Sequence, residues 1–197
     1  FSKSFGGSRN TYFEAPVSYN RTFGKHTVDA LLLWNMRSYV DQNASSAIYS
    51  FPYRHAGLAG RFAYDYDSRY FAEFNFGYNG SENFAPDNRF GFFPSVGLGW
   101  AVSNEKWFEP ASKVINFMKL RATWGKVGNA KITGRRFAYL ATIQNKGSYT
   151  FGQNGDQSFS GLEIGEEAVD VSWETAHKWN LGLDVNTLNN ALSLHAD

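Results

Sequence analysis

The chain has no cysteine, which rules out a disulfide framework and any thiolate metal site. It has no run of about 18 apolar residues, so no transmembrane helix can be drawn through it. An excess of one charge is missing too: 19 Lys and Arg stand against 18 Asp and Glu over 197 residues. So even a balance creates no field that would gather nucleic acid, and none is expected as a partner. The four histidines (His26, His55, His177 and His195) lie far apart and never as H-x-x-x-H, so no metal, cofactor or catalytic use is expected of them. Gly125-Lys126-Val127 fails as a phosphate loop, because Leu120 stands where the first glycine belongs and Val127 replaces the Ser or Thr. No enzyme is expected. The first residues carry neither a basic region nor an apolar h-region, so any signal peptide is expected outside the chain or already removed.

What is present is aromatic side chains, at 18% of residues, and 19 glycines, a composition of strands and turns. From Tyr70 to Asn79 the even positions are Tyr70, Ala72, Phe74, Phe76 and Tyr78, against Phe71, Glu73, Asn75, Gly77 and Asn79. Phe92 to Ser103 and Met118 to Val127 alternate in the same way. Successive strand side chains point to opposite faces, so this period of two makes one greasy face and one polar or small face. Each segment is about ten residues long, enough for a tilted strand to cross a bilayer.

Tyr12 to Phe23, Thr27 to Tyr39, Arg54 to Tyr66 and Val171 to Val185 read as further strands, and Leu192 to Asp197 starts another. A hairpin is expected around Arg136 to Gly152, and a short amphipathic piece between Asn104 and Asn116. Charges fall mostly on the polar faces; Arg21, Lys126 and His177 do not. Connections at Gly24–His26, Asp67–Arg69 and Asn186–Asn190 are short, whereas those at Val40–Tyr53, Gly80–Gly91 and Gly128–Asp170 are long. Short turns on one rim and long loops on the other are the habit of outer-membrane barrels. The connection Asn104–Asn116 falls on the short side and is the exception. The expectation is an all-β chain of roughly eight strands, an arc of a large antiparallel barrel with short periplasmic turns and long extracellular loops. A soluble β-sandwich is the competing architecture.

Asp65-Tyr66-Asp67-Ser68-Arg69-Tyr70, Gly91-Phe92-Phe93-Pro94-Ser95-Val96-Gly97-Leu98-Gly99-Trp100 and Lys119-Leu120-Arg121-Ala122-Thr123-Trp124-Gly125-Lys126-Val127-Gly128-Asn129 follow one another in this order. Trp173-Glu174-Thr175, Asn180-Leu181-Gly182-Leu183-Asp184 and Leu188-Asn189-Asn190-Ala191-Leu192-Ser193 come after them. This series resembles the SusC/RagA-like TonB-linked outer-membrane transporters of Bacteroidetes. The resemblance implies that residues 1–197 are part of a barrel whose plug domain and remaining strands lie outside the chain. It also implies an outer-membrane location, a SusD-like surface lipoprotein and TonB as partners, and an oligosaccharide or peptide as cargo. The chain departs from the family pattern at Asn79-Gly80-Ser81, where Asp-Gly-Ser is usual, and at Gly77, where Arg is usual.

Three sets of candidate residues follow. Arg61, Asp65, Glu73, Asn75, Lys119, Arg121, Glu174, Lys178 and Asp184 are expected to face the lumen, because they sit on the polar parity. Tyr64, Tyr66, Tyr70, Trp100, Trp124 and Trp173 are expected in the aromatic girdle against outer-membrane lipid. Tyr49, Phe51 and Tyr53 are loop aromatics that either stack on a sugar ring or pack the loop itself. The competing function is an adhesin or carbohydrate-binding module without transport.

Overall fold

The computed structural model of the protein describes residues 6–42, 47–131 and 135–197. Eight strands lie antiparallel in one sheet: β1 (Ser8–Phe23), β2 (His26–Asp41), β3 (Tyr53–Tyr66), β4 (Tyr70–Ser81), β5 (Phe90–Ala101), β6 (Ile115–Asn129), β9 (Glu174–Thr187) and β10 (Leu192–Ala196), in that spatial order. Between β6 and β9 the chain makes a separate hairpin from β7 (Thr142–Phe151) and β8 (Gln157–Glu166). β1 and β10 each pair on one side only, so the sheet is an open arc of barrel wall. The hairpin is displaced from the expected Arg136–Gly152: its first strand alone lies in that range, and its turn and second strand come after Phe151. Arg136 lies outside it, because its side chain is drawn into the loops described below.

Local chemistry sets the tight turns. Gly24 takes φ +60° at the first central position between Phe23 and His26, the II′ form that matches strand twist. Asp67 and Ser68 both take positive φ, and the Asp65 carboxylate accepts the Ser68 backbone N–H at 2.8 Å. These turns share a rim with the connection from β5 to β6, which is built from two 3-10 segments, Val102–Asn104 and Lys106–Lys113. The opposite rim carries residues 82–89, residues 130–131 and 135–173 with the β7–β8 hairpin, and the short helix Ala47–Ser50.

The sheet has no core of its own. Among the described residues, the buried apolar side chains lie at the rims: Phe84 and Ala138 on the long-loop side, Ala101, Val102 and Phe108 on the short-turn side. Between the rims one face is apolar and exposed, with Leu98 at 59% and Leu181 at 76% relative exposure. The other face carries the charges, amides and glycines.

The apolar band slants across the sheet. Ser18, Leu31, Arg61, Asn75, Ser95, Gly125 and Lys178 form one row of paired residues from β1 to β9. In β1 the apolar-face run between Arg21 and Thr11 is centred about two residues to the long-loop side of that row, taking alternation as the ruler. In β9 the run between His177 and Thr187 is centred about four residues to its short-turn side. The drift is about one residue per pairing. With ~3.3 Å per residue and ~4.8 Å between strands it corresponds to a tilt of roughly 35°. Arg21, Lys126 and His177 therefore lie beyond the ends of the slanted band, and they interrupt nothing.

Candidate functional site

The polar face is organised around two arginines. The Arg61 guanidinium donates to Glu73 at 2.9 Å and stands 4.0 Å from Asp29. Asn75 donates to the same Glu73 carboxylate at 2.7 Å, and Asn20 to Asp29 at 3.1 Å. Arg121 makes a forked contact with Asp184, at 2.8 and 3.1 Å, and reaches Asp197 at 3.1 Å. His195 pairs with Asp184 at 2.9 Å. Lys119 lies 4.0 Å over the Phe71 ring. Between the two arginines runs an open trough of ≈ 630 Å³, whose floor includes Gly97, Gly99 and Gly125. Each arginine stands beside two carboxylates, and the surface between them carries glycine backbone, amides and hydroxyls together with Lys119 and Lys178.

The long-loop rim is tied together by Arg136, which sequence reasoning missed. Its guanidinium donates to the carbonyl oxygens of Ile48 (3.1 Å), Phe51 (2.7 Å) and Pro52 (2.5 Å) and pairs with the Glu82 carboxylate. It lies 3.8 Å over the Tyr53 ring and 4.5 Å over that of Phe137. Only 4% of its side chain is exposed. One side chain so joins residues from all three long connections. Further links reinforce it: Asn83 donates to the Ala130 carbonyl, Asn88 to Asp170, and the Val169 N–H to the Ala138 carbonyl.

A second network secures the short-turn rim. Lys25 pairs with Asp67 at 3.1 Å, Asp67 with Arg69 at 3.0 Å, and Arg69 with Glu105 at 3.8 Å. Tyr70 and Trp100 donate to one Glu105 oxygen at 2.5 and 3.1 Å. Those two hydrogen bonds, from Tyr70 first, hold the Glu105 carboxyl below the usual carboxylate range.

The sequence candidates fall into place unevenly. Register puts Arg61, Asp65, Glu73, Asn75, Lys119, Arg121, Lys178 and Asp184 on the polar face, and Glu174 joins them through its bond to Asn129 at 3.0 Å. Asp65 also serves its turn. Tyr64, Tyr66, Tyr70, Trp100 and Trp124 stand on the apolar face. Trp173 does not join them: it precedes β9 and packs on Phe84 and Phe93 at 5.2 and 4.9 Å between ring centres, inside the long-loop cluster. Of the loop aromatics, Tyr53 opens β3 and lies under the Arg136 guanidinium, Phe51 packs edge-on to Phe137 at 6.3 Å, and all three including Tyr49 are exposed.

No protein-family model matches the chain. A TonB-dependent receptor of Formosa agariphila is 29% identical over 98% of the chain and 21% of its own length. The TonB-dependent receptor SusC of Bacteroides thetaiotaomicron is 34% identical over 68% of the chain and 13% of its own length. The chain thus spans about a fifth or less of these relatives. Among solved structures, the RagAB peptide transporter superposes with a TM-score of 0.72 over 94% of this chain and 22% of that one, at 22% identity. The sequence motifs, the open antiparallel arc and these likenesses agree: the chain belongs to the SusC/RagA-like TonB-dependent receptors, as a length of their barrel wall.

Proposed function

We propose that this arc is part of the transmembrane wall of an outer-membrane importer that works with TonB and a SusD-like surface lipoprotein. The observation that carries the reading is the division of the two faces. One is a continuous apolar band slanted by roughly 35°, the tilt that membrane barrels use. The other is a polar trough of amides, glycines, arginines paired with carboxylates, and the two lysines Lys119 and Lys178. On this reading the apolar face meets lipid, and Arg61, Asp65, Glu73, Asn75, Lys119, Arg121, Glu174, Lys178 and Asp184 line the lumen. The long loops, gathered by Arg136, form the outer mouth that the lipoprotein would cover, and the short turns face the periplasm.

The cargo is proposed to be an oligosaccharide or a peptide. A wall that offers hydrogen bonds without one sign of charge suits a largely neutral, hydrogen-bonding solute. The likeness to a peptide transporter supports the peptide, though it is a likeness of fold. Uptake of labelled oligosaccharide and peptide pools by cells with and without TonB, and with the proton gradient collapsed, tests the proposal. Import is expected to stop in both deprived states. Uptake that continues unchanged would mean a passive pore, and surface binding without uptake would mean an adhesin.

A further inference from the structure

Five arginines of this chain, Arg61, Arg69, Arg121, Arg135 and Arg136, each stand against a carboxylate. Arg54 and Arg89 do not. Among the described residues neither guanidinium has an ion-pair or hydrogen-bond partner, and the Arg89 Nε is buried without one. Both line one cavity of ≈ 480 Å³ at the long-loop rim.

Register fixes the side of the sheet on which this cavity opens. Phe13, Met36, Ala56, Gly80 and Phe90 form one row of paired residues from β1 to β5 on the apolar face, and all five line it. The next row of that face towards the loops, Thr11, Ser38 and Arg54, lines it too. Of its strand residues only Arg37 and His55 have the other parity, each flanked in sequence by residues of the first. Ala56 lies low between Met36 and Gly80, and the Phe90 ring leans over Gly80, where a Cβ would come within 2.5 Å of it. In β1 the apolar run reaches about five residues to either side of its centre, and the drift of the band centres it on Arg61 in β3. Ala56 is then at the limit of the band, with Arg54 just past it on the loop side. Glu82, the one carboxylate in the lining, is already paired with Arg136.

Hydrocarbon on the band side and two unengaged guanidiniums on the loop side complement a molecule whose phosphate is joined to acyl chains. Resting on the membrane reading above, we propose that this cavity binds the phosphate of one anionic lipid of the outer leaflet. Arg54 and Arg89 hold the phosphate, and an acyl chain runs down the band over the exposed Trp34 and Leu32. Arginine suits the place, because its stem can lie along apolar surface while its fork reaches the polar layer. The lumen face engages its arginines with carboxylates, whereas this edge of the lipid face leaves two of them open.

The intact transporter, purified in mild detergent and stripped of lipid, provides the test. The probes are lipid A, its dephosphorylated form and inorganic phosphate, with bound lipid counted by native mass spectrometry. Wild type should retain one lipid A roughly tenfold better than the dephosphorylated form, and inorganic phosphate should not displace it. Arg54→Gln with Arg89→Gln should remove that preference, and Ala56→Trp, which fills the floor, should weaken retention of both lipids. Arg21→Gln, at the opposite edge of the same face, should change nothing. Heat-shifted migration on gels reports whether each barrel is folded, and should one cavity variant not fold, the other decides. Folded wild type without the preference overturns the site, as does undiminished lipid A retention in the folded cavity variants. An equal loss in Arg21→Gln would mean diffuse surface charge, and displacement by inorganic phosphate a site for the free anion; either overturns the lipid assignment. A wild type that does not insert into vesicles at all would instead overturn the membrane reading.

Discussion

Replacing Arg136 with alanine should detach the three outer loops from one another while leaving the wall paired. The side chain is 4% exposed and holds three loop carbonyls and one carboxylate. Breaking a buried ion pair by removing one partner costs about 3–5 kcal/mol. The orphaned carbonyls sit near the surface and regain water, so they add little, and the two ring contacts at Tyr53 and Phe137 add about 0.5–1 kcal/mol each. The local loss is therefore about 4–7 kcal/mol, which at ~1.4 kcal/mol per factor of ten is a change of roughly 10³–10⁵ in the opening equilibrium. Hydrogen exchange on the whole transporter reads it at the N–H groups of Leu140, Val169 and Phe84, which bond to Phe137, Ala138 and Ser81. Exchange there should accelerate by that factor and stay unchanged at mid-strand amides of β4 and β5. Arg136→Lys should fall between, since an ammonium keeps the charge but cannot span four acceptors with a planar fork. Unchanged exchange at all three amides would show that the loops are held by something other than this arginine.

Leu98→Arg, on the apolar face, should cost roughly 2–4 kcal/mol, as a cation near the bilayer midplane does, while Ser95→Arg on the polar face should cost far less. Equal loss of folded barrel for both would refute the assignment of faces. Glu105 has a folded pKa below its ordinary value, so the stability it contributes is complete above the ordinary carboxylate range and disappears as pH falls through the depressed value. Exchange at the Phe108 and Val114 N–H groups, corrected for intrinsic rate, should be flat from neutral pH downward and rise only in that acid range; Glu105→Gln should abolish the rise. The 197-residue chain alone should aggregate without detergent, because β1 and β10 are bare edges and the apolar face has no cover. A sharp melt in plain buffer, independent of concentration, would contradict this.

Strand existence was legible in the sequence because half-buried strands alternate, and in Tyr70–Asn79 even the face of each residue could be read. What the sequence cannot display is register. Without it the slant of the apolar band is invisible, and Arg21, Lys126 and His177 look like breaches of a rule that they obey. Arg136 was illegible for another reason. Three of its four acceptors are backbone carbonyls 84 to 88 positions away, and carbonyls leave no mark in a sequence. The one available signal was Arg135-Arg136 set beside Phe137 and Tyr139 in a loop, an arrangement with nothing to solvate if the arginines were free. Trp173 misled because its parity matched the strand that follows, although the chain has not yet entered that strand and the ring turns to Phe84 and Phe93.

The polar face raises a question that stability cannot answer. Exposed ion pairs are worth about 0–1 kcal/mol, and Arg61, with half its side chain in solvent, is of that kind. Yet each arginine is given two carboxylates, Asp29 and Glu73 for one, Asp184 and Asp197 for the other, when one would suffice to neutralise it. In Arg121 the Nε and Nη2 donors are taken by Asp184 and Asp197, whereas Arg61 gives one hydrogen bond to Glu73 and stands 4.0 Å from Asp29. A wall built to attract phosphates or carboxylates would present its guanidinium forks unpaired. Here the groups left open along the trough are the Asn180 amide, the Ser95 and Thr123 hydroxyls, glycine backbone and two ammonium groups, Lys178 and Lys119, the latter over the Phe71 ring. The amide, hydroxyls and backbone make weak, replaceable hydrogen bonds. A solute can exchange one for the next without being trapped, which is what a surface needs if cargo must leave it as readily as it arrives.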